Sequence, residues 1–70
     1  MIKIVFSENL KEFMKERNLN QLQLSKKIGV AHSAVSAWLS GKKEPSITSL
    51  WLLADFFGTD IDTLVGRKDF

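Results

Sequence analysis

Apolar residues recur along the chain at intervals of three and four, and glycines or polar runs interrupt them at short spacing. Leu10, Phe13 and Met14 follow the i, i+3, i+4 pattern of a core-facing stripe. With Ser7 as N-cap and Glu8 in the first turn, they predict a helix over about 8–17. Asn20 followed by Gln23 is a capping-box arrangement, in which the cap and N3 side chains satisfy each other's backbone amides. It predicts a second helix, with Leu24 and Ile28 on its apolar face and Gly29 at its end. A third, over about 32–39, turns Val35 and Leu39 inward with Trp38 beside them and stops at Gly41. Pro45 and Ser46 open a fourth, whose stripe is Ile47, Leu50, Ala54 and Phe57 and whose stop is Gly58. Asp60 caps a short last helix carrying Ile61, Leu64 and Val65.

Two groups fall outside this pattern. Leu52 and Phe56 lie at i, i+4 on the side of the fourth helix away from its stripe, while Ile2, Ile4 and Phe6 alternate with the period of a strand. Both predict surfaces that seek a partner. The alternative is that Phe56 folds back on the core and the N-terminal arm frays.

The expected architecture is all-α: one compact five-helix domain over 1–70, with residues 1–6 as an arm that can form a short strand and 7–66 as the core. Cysteine is absent, which excludes disulfides, thiolate chemistry and the common structural zinc sites. No apolar run approaches the roughly 18 residues a membrane span needs, and the Met1–Phe6 start is too short for a secretory signal. A cytoplasmic location with no membrane partner is expected. With a single histidine and no clustered carboxylates or phosphate-cradling loop, no enzyme activity, metal or cofactor is expected either.

Net charge is only +2, but its distribution is uneven. The stretch from Arg17 to Lys43 holds five of the ten cations (Arg17, Lys26, Lys27, Lys42, Lys43) and none of the eight acids. Two short helices joined by a glycine turn inside such a basic segment are the parts of a DNA-binding helix-turn-helix.

The residues that carry a closer likeness are Leu10-Lys-Glu-Phe13, Leu19-Asn-Gln21, Leu24-Ser-Lys-Lys-Ile-Gly-Val30, Val35-Ser-Ala-Trp38, Gly41-Lys-Lys-Glu-Pro45, Leu53-Ala54 and Ile61-Asp-Thr-Leu-Val-Gly66. In order and spacing they resemble the phage-repressor and Cro-like (Xre-type) helix-turn-helix proteins over residues 7–66. The resemblance implies a lambda-repressor-like fold with helices 2 and 3 as the motif, and a transcriptional regulator, expected to be a repressor, that binds a palindromic operator as a homodimer. It places His32, Ser33, Ser36 and Ala37 at base-facing positions of helix 3, and Asn20, Gln21, Ser40, Lys42 and Lys43 at phosphate-facing ones. The dimer contact is expected from Leu52 and Phe56 or from the Ile2, Ile4 and Phe6 arm. An antitoxin or protein-interaction adaptor with the same fold is the alternative.

Departures from the family pattern are informative as well. Ala31 stands where Ser or Thr usually caps helix 3, and a missing cap typically costs about 1 kcal/mol. Met14 and Leu39 stand where many members have an Arg–Glu ion pair; their joint replacement by apolar residues predicts that they touch.

Overall fold

The computed structural model describes residues 5–67 and contains five helices: α1 (Phe6–Glu16), α2 (Gln21–Ile28), α3 (His32–Ser40), α4 (Ile47–Phe57) and α5 (Ile61–Val65). Each helix sends one fully buried aliphatic side chain to a common centre: Leu10, Leu24, Val35, Leu53 and Leu64. Phe6, Phe13, Met14, Ile28, Trp38, Ala54 and Phe57 complete the core. Within it α3 packs on α1 and α2, α5 packs on α1 and α4, and α2 reaches α4. No described helix is long and apolar enough to cross a membrane.

The helix ends follow the sequence chemistry closely. Asn20 Oδ1 accepts from the Gln23 amide at 2.8 Å while Gln23 Oε1 accepts from the Asn20 amide at 2.9 Å, completing the capping box of α2. Ser46 and Asp60 cap α4 and α5 through the amides of Ser49 and Thr63. Gly29 ends α2 at φ 76°, in the left-handed region, so the chain reverses into α3 within three residues. At Gly66 the constraint is also steric, because a Cβ there would stand 2.3 Å from Val5 Cγ2.

The chain departs from expectation in three places. α1 begins at Phe6 with Val5 in the cap position and no side-chain cap. Ser7 is therefore not the N-cap; its hydroxyl donates instead to the Trp38 carbonyl at 2.7 Å and ties α1 to the end of α3. Phe6 is also not part of an exposed arm or dimer surface. It is 5% exposed, four residues before Leu10 on the same helical face, with its ring edge-to-face against Trp38 at 6.3 Å. The helical period thus overrides the strand-like alternation, while Ile2 and Ile4 lie outside the described residues.

The third departure concerns α4. Its inward set is Leu50, Leu53, Ala54 and Phe57, and Ile47 is left 81% exposed on the first turn. Phe56 is half-buried rather than free. The Arg17 guanidinium lies 5.2 Å from its ring centroid and donates to the carbonyls of Phe56 (3.0 Å) and Phe57 (3.1 Å). A cation placed on the last carbonyls of a helix satisfies acceptors that lack an intrahelical donor and complements the helix dipole. Arg17 is therefore spent on holding α4, although the sequence counts it in the basic block.

Candidate nucleic-acid interface

The outward side of α3 is made by His32, Ser33, Ser36 and Ala37, which span an arc of about 140° at helical spacing, while Val35 and Trp38 hold the opposite side in the core. His32 and Ser33 are exposed; Ser36 and Ala37 are half-buried. The face is thus low and polar, with no large apolar side chain standing on it. Ala31 offers no side-chain cap, so the backbone amides of His32 and Ser33 have no acceptor among the described residues.

At the start of α2 the capping box uses the amides of Asn20 and Gln23. Those of Gln21 and Leu22 remain without a partner among the described residues. Two unpaired N–H groups at the positive end of a helix dipole form a donor set suited to an anionic oxygen. Beside them, the Ser36 hydroxyl donates to Gln21 Oε1, a contact 15 residues apart in sequence that joins the first turn of α2 to the outward face of α3.

The loop after α3 behaves differently from what its sequence implies. Ser40 Oγ donates to the Ala37 carbonyl at 3.1 Å, and the amides of Lys42 and Lys43 donate to the same carbonyl at 3.0 and 3.3 Å. These backbone groups close the end of α3 and do not face outward. What the loop presents is the ammonium groups of Lys42 and Lys43, both exposed.

An open cleft of about 440 Å³ lies next to the start of α2. Met14, Leu19 and Leu39 supply its apolar lining, and Lys11, Lys15, Asn20 and Gln21 also line it. Met14 and Leu39 both line this cleft. Lys11 and Lys15, one turn apart on α1, escaped the sequence reading although their i, i+4 spacing put them on one face. On α4, sequence reasoning chose Leu52 and Phe56 and missed Ile47 and Trp51, which are the more exposed. No three His, Asp or Glu side chains among the described residues gather as metal ligands would.

Comparison with known proteins places this geometry. The chain is 36% identical over 64 residues to the HTH-type transcriptional activator BcrR of Enterococcus faecalis, covering 91% of this chain and 31% of that protein. It is 33% identical over 65 residues to the cryptic phage CTXphi transcriptional repressor RstR of Vibrio cholerae, covering 93% of this chain and 59% of that one. The chain therefore spans only part of the length of these relatives. Among solved structures, a transcriptional regulator from Listeria innocua superposes with a TM-score of 0.88 at 35% identity, over 99% of this chain and 64% of that chain. The helix-turn-helix family model matches residues 10–64, from the centre of α1 to the buried Leu64 of α5, so the chain belongs to the Xre and Cro-like helix-turn-helix family.

Proposed function

We propose that this chain is the DNA-binding module of a transcriptional regulator, with α3 in the major groove of double-stranded DNA and the start of α2 on the phosphate backbone. The observation that carries the reading is the low polar face of α3 beside the unpaired Gln21 and Leu22 amides. The major groove admits an α-helix, and polar side chains on its outward face then reach the base edges. His32 and Ser33 meet base edges with Ser36 beside them on the same face, Ala37 meets a thymine methyl, and Gln21, Lys42 and Lys43 meet phosphates. Asn20 and Ser40 flank that track, with their side chains already engaged in helix-end hydrogen bonds.

A homodimer on a palindromic operator completes the proposal, because one module with four small or medium base-facing side chains offers little sequence discrimination. Two copies one helical turn apart, about 34 Å, double the readout. Repression is the regulatory sense proposed: a dimer covering its operator blocks it by occupancy and needs no further surface. The apolar outer face of α4 favours a protein contact, and a second copy of this chain is the occupant this reading assigns to it.

The test is binding to a duplex at several salt concentrations. Each phosphate contact releases counterions and steepens the dependence of log affinity on log salt by about one unit. Lys42→Gln and Lys43→Gln are each expected to lower that slope by about one without altering base preference. Wild-type affinity that is flat across salt would overturn the proposal.

A further inference from the structure

Within the DNA-binding reading, Ser36 has two possible employments that the structure separates. A serine on the outer face of α3 can read a base edge, or it can act on a neighbour. Its hydroxyl has one proton, and that proton is given to Gln21 Oε1.

The consequence lies in the asymmetry of the glutamine amide. A phosphate oxygen accepts hydrogen bonds and cannot donate, so Gln21 serves it only when Nε2 points outward; the amide rotated by half a turn would present Oε1 to an anion. The rotated amide would offer Ser36 Oγ an Nε2 donor in place of Oε1 and leave the hydroxyl proton without this acceptor, so the observed pairing favours Nε2 outward. Gln21 Nε2 makes no hydrogen bond among the described residues, and the Gln21 and Leu22 amides beside it are unpaired as well. All three donors belong to the first two residues of α2.

We infer that Ser36 is a positioning residue for the phosphate contact: its hydroxyl holds Gln21 with Nε2 outward, and it is not a donor to bases. This rests on the DNA-binding function proposed above and deepens it. One hydrogen bond then sets the register between the helix that grips the backbone and the helix that enters the groove, since Ser36 stands one turn beyond His32 on the reading face. Toward a base, Ser36 keeps only acceptor capacity.

The experiment is a double-mutant cycle on the full chain, with two duplexes as probes: the tightest sequence recovered from a random pool by wild-type protein, and a duplex of random sequence. Ser36→Ala is expected to weaken both by a similar factor, about threefold to tenfold. Gln21→Ala weakens both at least as much, and adding Ser36→Ala to it costs nothing further. Ser36→Thr, which keeps the hydroxyl, retains the binding that Ser36→Ala loses. Urea melts and helix content identify any variant whose loss comes from unfolding, a change that would not be rescued on the Gln21→Ala background. Independent, multiplicative losses from the two substitutions, or a Ser36→Ala loss confined to one base pair of the selected duplex, would overturn the inference while leaving the DNA-binding function standing. Absence of salt-sensitive binding by wild-type protein would overturn both.

Discussion

The outward faces of α3 and α4 are built from opposite materials on the same core. Inside, they are alike: Val35 and Leu53 are both fully buried, each anchoring its helix. Outside, α3 shows His32, Ser33, Ser36 and Ala37, whereas α4 shows Ile47 at 81% exposure, Trp51 at 69% and Leu52. A small domain has no stability to spare for large apolar side chains in water. The contrast teaches that the two faces suit different partners, a polar grooved polymer for α3 and an apolar protein surface for α4. Phe56 marks the edge of the second face, since Arg17 covers it.

The largest expected effect would break this division of labour. Trp51→Ser combined with Leu52→Ser should reduce binding to a palindromic duplex about 100-fold while leaving binding to an isolated half-site unchanged, because joining two weak modules adds avidity of that order. Sedimentation should show loss of the proposed dimer, and circular dichroism should show unchanged helix content. Equal losses on both duplexes would place α4 against DNA instead and dissolve the contrast.

A smaller effect sharpens the α3 side. His32→Ala and Ser33→Ala should each lower affinity for the selected duplex by about 1–3 kcal/mol, with the loss restricted to substitutions at one or two base pairs. Binding across a panel of single-base variants would show it. A uniform loss over the panel would mean that these residues grip the backbone rather than read bases.

The smallest change concerns the start of α3, which differs from its neighbours in being uncapped. Ser46 Oγ accepts from the Ser49 amide at 3.1 Å at the start of α4, and Ala31 can do nothing comparable. Ala31→Ser should therefore stabilise the domain by up to about 1 kcal/mol, read as a higher urea midpoint at constant slope. An unchanged midpoint would show that the open turn carries no cost in this fold.

Local chemistry determined most of the fold from the sequence alone. The Asn20–Gln23 box, the Asp60 cap and the glycine stops each act within four residues, so neighbouring letters suffice to place them. Helical period likewise marked Leu10, Leu24, Val35 and Leu64 as inward, and the motif spacing pointed to the family that residues 10–64 match.

Only the tertiary structure decided how polar and apolar groups are shared out between distant segments. Ser7 looked like a cap but serves Trp38, 31 residues away; Arg17 looked like part of a basic face but holds the end of α4, 39 and 40 residues away. Phe6 carried a strand-like alternation, and a place against Trp38 drew it into α1. The pairing of Ser36 with Gln21 has no local signature either. Caps and periods are written in short-range geometry that any window of sequence contains, whereas the partner of a hydroxyl or guanidinium is whichever acceptor the packed helices bring within about 3 Å.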